Sequence, residues 1–124
     1  MADTAENQEL NETQLETLIT TLKALKVELR EQLSASAESA KPVDLDQPIG
    51  RLSRMDAMQQ QHMAKAARRV QQGRLNRVNA ALVVAARGDY GICQECEEPI
   101  GFARLKARPE SAFCVVCQER SEKR

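Results

Sequence analysis

Four cysteines stand in two tight pairs, Cys93-Gln94-Glu95-Cys96 and Cys114-Val115-Val116-Cys117, with 17 residues between the pairs and no other cysteine in the chain. Each pair can present two thiolates to one ion from a single turn. Four thiolates suit tetrahedral zinc, and complete thiolate coordination leaves no position for a reacting water. The chemistry expected is therefore one structural Zn2+ held by Cys93, Cys96, Cys114 and Cys117, rather than catalysis. Iron could take the same four ligands. A disulfide framework would need an oxidising compartment, and the opening Met1-Ala2-Asp3-Thr4-Ala5-Glu6 lacks the basic and apolar regions of a secretory signal. No apolar run is long enough to cross a bilayer, so a cytoplasmic location is expected. A redox CxxC would call for a βαβ pattern, which is absent.

Such a metal knob must be carried by something. Only three aromatic residues occur in 124, namely Tyr90, Phe102 and Phe113, all in the cysteine-rich third. The rest of the chain has aliphatic side chains and alanine to bury, which suits a helix-to-helix seam better than a thick core. Leu15, Leu18, Leu22, Leu25, Leu29 and Leu33 recur at steps of three and four, the a/d pattern of a coiled coil. This predicts a first helix from about Glu9 into the high thirties. A second helix is expected from about Arg51 to Arg87, with a leaner seam of Leu52, Met55, Met63, Ala66, Val70, Leu75, Val78, Leu82 and Ala85, interrupted at Gly73. The expected fold is mainly α: a long antiparallel two-helix coiled-coil hairpin with a small four-cysteine zinc-finger globular end. The expected divisions are a flexible N-terminus over 1–8, the hairpin over 9–87 with its tip loop at about 41–50, and the zinc-finger domain with a C-terminal helix over 88–124.

The formal net charge of zero conceals an asymmetry. Residues 1–34 carry seven acids against three bases, and residues 51–87 carry eight bases against one acid, Asp56. Opposite charges flanking a seam favour pairing of the two arms, each exposed pair contributing only about 0.2–1 kcal/mol. The basic arm lacks aromatics to stack on bases, which weighs against direct nucleic-acid binding. The loop Lys41-Pro42-Val43-Asp44-Leu45-Asp46-Gln47-Pro48-Ile49-Gly50 puts two carboxylates at the far end of the hairpin. They are either a helix cap and solvated charge or the contact end of a probe. His62 stands alone in mid-helix, and no nucleophile triad, phosphate loop or open metal site occurs, so an enzyme is not expected.

The stretch Gly88-Asp89-Tyr90-Gly91-Ile92-Cys93-Gln94-Glu95-Cys96, followed by Pro99-Ile100, Arg104-Leu105-Lys106-Ala107-Arg108-Pro109-Glu110 and Cys114-Val115-Val116-Cys117, resembles the DksA/TraR-type four-cysteine zinc-finger family. Gly50-Arg51-Leu52-Ser53-Arg54-Met55-Asp56 extends the resemblance into the helical part. The resemblance implies a regulator that binds RNA polymerase without sequence-specific DNA contacts. It would insert the coiled coil into the secondary channel and modulate initiation, often together with guanosine tetraphosphate. It further implies that the tip carboxylates, here Asp44 and Asp46, contact the partner, and that Arg77 and Arg108 are the alarmone contacts. The tip departs from the family pattern D-x-x-D-x-A, Val43 and Pro48 standing for its first aspartate and its alanine. Val70 and Gln118 stand where members can have bases. Glu97 follows Cys96 where many members have glycine, which predicts a strained turn. The alternatives are a zinc-stabilised coiled-coil scaffold for another protein and a direct nucleic-acid binder.

Overall fold

The computed structural model describes residues 9–37 and 53–123, and four helices occur among them: α1 (Glu12–Ala35), α2 (Arg54–Ala86), α3 (Phe102–Ala107) and α4 (Val115–Glu122). The expected tip loop, Asp44 and Asp46 included, and the expected flexible start lie outside the described residues. Two compact units are present, one formed by residues 1–26 with 76–124 and the other by 27–75.

Helix α1 begins three residues later than its leucine stripe suggests, because Asn11 caps it. The Gln14 backbone N–H donates to Asn11 Oδ1 at 2.8 Å, and the Asn11 N–H donates back to Gln14 Oε1 at 3.1 Å. This reciprocal box satisfies two otherwise orphaned donors. Ser53 does the same work for α2, its Oγ accepting from the Asp56 N–H at 3.1 Å. Helix α2 ends in a Schellman turn, with the Gly88 N–H on the Ala85 carbonyl at 3.0 Å and the Asp89 N–H on the Val84 carbonyl at 3.1 Å. Gly88 adopts φ 82, which a side chain would strain.

In the first unit the core takes Leu18 and Leu22 from α1, Val78 and Ala81 from α2, and Tyr90, Ile100 and Leu105 from the region after α2. In the second unit Leu29, Leu33, Ala57 and Leu75 are buried. The leucine stripe of α1 thus faces inward as expected, with Leu15 and Leu25 half-buried.

The seam of α2 differs from the expected one. Its inward line is Ala57, Gln61, Ala64, Arg68, Gln71, Leu75 and Val78, an unbroken alternation of four- and three-residue steps in which each residue is buried or half-buried. Met55, Met63, Ala66 and Val70, expected in the seam, are exposed, Met55 to 81% and Val70 to 70%. Selecting the largest apolar side chains in this segment picks the wrong face. The continuous register instead follows from Leu75 backwards, and it brings Arg68 and Gln71 against α1. There Arg68 Nη1 donates to the Leu33 carbonyl and, at 2.8 Å, to Ser36 Oγ. Gln71 Nε2 donates to Gln32 Oε1 at 3.3 Å. A base of α2 therefore serves the orphan carbonyls and negative dipole end of α1, a role that side-chain charge counting does not reveal.

Candidate metal centre

Two motifs build the cysteine cluster. After Gly88 ends α2, Tyr90 turns inward and its hydroxyl donates to the Pro109 carbonyl at 2.8 Å. Gly91 follows with φ 96, and a Cβ there would lie 3.0 Å from Leu10 Cδ1, so the second glycine of the G-x-Y-G segment admits the chain leading into α1. The first knuckle is closed by hydrogen bonds from Cys93 N–H to the Glu98 carbonyl at 2.8 Å and from Glu97 N–H to the Cys93 carbonyl at 3.0 Å. An isolated antiparallel bridge pairs Ile92 with Pro99.

Helix α3 then supplies Leu105, fully buried, and Arg104, whose Nε donates to the Phe113 carbonyl at 3.0 Å. That bond fixes the backbone one residue before Cys114. Cys114 is the N-cap of α4, and Cys117 sits on its first turn. The Gln94 N–H donates to the Ala112 carbonyl at 2.9 Å, tying the first knuckle to the second. Tyr90 and Arg104 are thus positioning residues that spacing alone did not single out. Their sequence signal is their place in the G-x-Y-G and R-L-x-A-R-P segments that carry the family resemblance.

The four Sγ atoms lie within 4.8 Å of one another, with Cys96 and Cys114 at 3.7 Å. A tetrahedral ion bound to sulfur at about 2.3 Å would hold its ligands roughly 3.8 Å apart, so the cradle fits zinc. Cys93 and Cys117 are buried, Cys114 is half-buried and Cys96 is exposed. Burial opposes ionisation of Cys93, but the backbone N–H groups of Cys96, Cys114 and Glu95 outweigh it and bring this thiol down to about 6. Burial, reinforced by hydrogen bonding to the Cys114 thiol, pushes Cys117 up to about 12. Ordered N–H groups around one sulfur favour the thiolate that a metal requires.

Glu97 is the only non-glycine residue at positive φ among those described, at φ 62. The strain expected from its place after Cys96 is present in the backbone. Left-handed geometry costs a side-chain-bearing residue about 1–2 kcal/mol, offset in part by the greater unfolded-state freedom of glycine. Glu97→Gly is therefore expected to raise the stability of the zinc-loaded protein by about 0.5–1 kcal/mol. A thermal unfolding scan showing a lower midpoint would contradict it.

Burial holds the Tyr90 phenol neutral well above its ordinary range, and the nearby Glu110 carboxylate adds to this. In the unfolded chain the phenol ionises near about 10. Its contribution to stability is thus complete below that pH and is lost as pH rises through the folded value. Tyr90 is the only tyrosine, and there is no tryptophan. Tyrosinate absorbance should accordingly appear well above pH 10 and together with unfolding; a midpoint near 10 in the folded protein would contradict this environment.

The family description "prokaryotic dksA/traR C4-type zinc finger" matches residues 88–123. Transcription factor DksA2 from Pseudomonas aeruginosa has a similar structure, with a TM-score of 0.74 and 30% sequence identity over 91% of this chain and 86% of that one. The chain belongs to the DksA/TraR zinc-finger family. A DnaK suppressor protein from Agrobacterium tumefaciens is also similar, with a TM-score of 0.57 and 27% identity over 94% of this chain and 98% of the other. The chain is 46% identical over 50 residues to the RNA polymerase-binding transcription factor DksA of Caulobacter vibrioides, and 35% identical over 48 residues to that of Haemophilus influenzae. Those matches span 35% and 33% of the relatives' lengths. The clustering of the four thiols and the C4-type match point to one structural zinc ion, which Cys93, Cys96, Cys114 and Cys117 would hold.

Among the residues that the resemblance assigns to the alarmone, Arg77 lines a cavity of about 80 Å³ together with Tyr90, Gln94 and Ser111. Arg108 is exposed and is not among the residues lining that cavity. No helix among the described residues is long and apolar enough to cross a membrane.

Proposed function

We propose that this protein is a cytoplasmic transcription regulator that binds RNA polymerase and acts by occupying a site rather than by catalysing a reaction. In this reading the zinc-closed lobe rests at the rim of the secondary channel. The paired helices reach inward and carry Asp44 and Asp46 towards the catalytic centre, where carboxylates can engage basic groups or perturb the environment of the catalytic metal. A pair of helices loses little freedom on docking, which suits delivery of a few side chains to a deep site. Arg77 and Arg108 would make the contacts to guanosine tetraphosphate.

The observation that carries the reading is the likeness to DksA2, which extends over 91% of this chain, well beyond the zinc finger. The polymerase-binding names of the Caulobacter and Haemophilus relatives point the same way. The experiment is a binding titration of the zinc-loaded protein against core RNA polymerase, with Asp44→Asn/Asp46→Asn alongside. Saturable binding, displaced by a secondary-channel competitor, is expected for both proteins, with the effect on open promoter complexes lost in the double variant. Absence of binding by folded, metal-loaded protein would overturn the reading in favour of a scaffold for another partner.

A further inference from the structure

The outward face of α2 in the 27–75 unit presents the larger apolar side chains that its seam does not use. Met55 is 81% exposed, Met58 42%, Met63 65% and Val70 70%, while Gln61, Arg68 and Gln71 occupy inward positions. A helix serving only its own pairing would place these side chains the other way round, since apolar area removed from water is the main source of stability. Met55, Met58, Gln59, His62, Met63 and Ala66 line one shallow groove of about 450 Å³. Met55, Gln59, His62 and Ala66 fall at steps of four, three and four, a second line of helix-packing geometry beside the first. Ala66 gives a point of close approach, and methionine adapts to the shape of an incoming surface. Contiguous exposed apolar surface of this kind marks an interaction site more often than isolated apolar residues do.

The charge beside the strip says what kind of partner fits. Lys65 and Arg69 are exposed along its edge, where they line an adjoining groove with Leu33, Arg68 and Gln72. Arg54 is exposed at the start of the helix, and Asp56 is the only acid in α2. We propose that this face docks an amphipathic helix of a partner protein, one whose apolar stripe is bordered by aspartates or glutamates. Laying a second copy of the same face on the strip would bring Lys65 and Arg69 against their own counterparts, which disfavours self-association. Nucleic acid would find the bases but no phenylalanine, tyrosine or tryptophan in α2 to stack on, and it would leave the methionines unused. Helix-in-groove recognition uses both features at once. The inference goes beyond the polymerase reading and does not depend on it.

The test is fluorescence anisotropy with the zinc-loaded full chain and two labelled helical peptides. They share one leucine stripe and differ only in flanking it with glutamate or with lysine. Saturable binding of the glutamate-flanked peptide is expected, at least tenfold tighter than that of the lysine-flanked one. Met63→Gln/Val70→Gln and, separately, Lys65→Glu/Arg69→Glu should each weaken it at least tenfold with helical circular dichroism unchanged. Equal binding of both peptides, or binding of neither, would overturn the proposal. So would a doubled mass in sedimentation that Met63→Gln/Val70→Gln reverts to the monomer, since the occupant would then be a second copy. Tighter binding to phosphatidylglycerol vesicles than to the peptide would overturn it in favour of a lipid surface.

Discussion

Cys117→Ser is expected to release the zinc ion and unfold residues 88–123, while most of the helical signal survives. Cys117 is 2% exposed and shares the cluster with Cys93, which is 1% exposed, so its loss removes a ligand from the interior of the lobe. The lobe has few other buried groups to hold it: its buried apolar side chains besides these cysteines are Tyr90, Ile100, Leu105 and Pro109. Structural zinc contributes on the order of 10–16 kcal/mol of apparent binding free energy at neutral pH, which is folding free energy where no site exists in the unfolded chain. Helices α1 and α2 span 24 and 33 residues against 6 and 8 for α3 and α4, so circular dichroism should fall only modestly. Zinc content by native mass spectrometry and amide exchange over residues 88–123 check the two halves of the prediction. Chelation, or acidification that returns protons to the thiols, should give the same pattern. A variant that retained one equivalent of zinc and a protected lobe would show that three thiolates suffice.

Leu29→Ala is expected to destabilise the protein by about 2–5 kcal/mol, whereas Met63→Gln should stay within about 0.5 kcal/mol of the parent. Both residues belong to the 27–75 unit, and the hydrophobic pattern places both in the seam. Leu29 is 3% exposed and Met63 65%, however, so truncating Leu29 leaves a cavity and truncating Met63 leaves solvent. Urea unfolding of the zinc-loaded protein measures the difference directly. A cost above about 2 kcal/mol for Met63→Gln would mean that the seam of α2 runs through the methionines after all. Near-neutral behaviour would leave Met63 free for the docking role argued above, because selection for folding would not account for it.

Local chemistry made much of this molecule readable in one dimension. The two CxxC pairs singled out the four thiols that the fold gathers into one cluster, because four soft donors at that spacing have few other uses. The leucines of α1 identified its buried face, because a three-and-four repeat of one large aliphatic residue has a single helical solution. The strain at Glu97 was legible too, since a knuckle turn in which glycine is usual demands a left-handed residue. Tertiary structure alone decided the register of α2. There the inward positions are filled by alanine, glutamine and arginine, and hydrophobicity pointed to the opposite face. Neither the cap that Arg68 places on the end of α1 nor the links from Tyr90 to Pro109 and from Arg104 to Phe113 could be read from spacing. Each joins a side chain to a backbone carbonyl between 9 and 35 residues away, and carbonyls are present at every position of the chain, so only the folded path shows which one a donor meets.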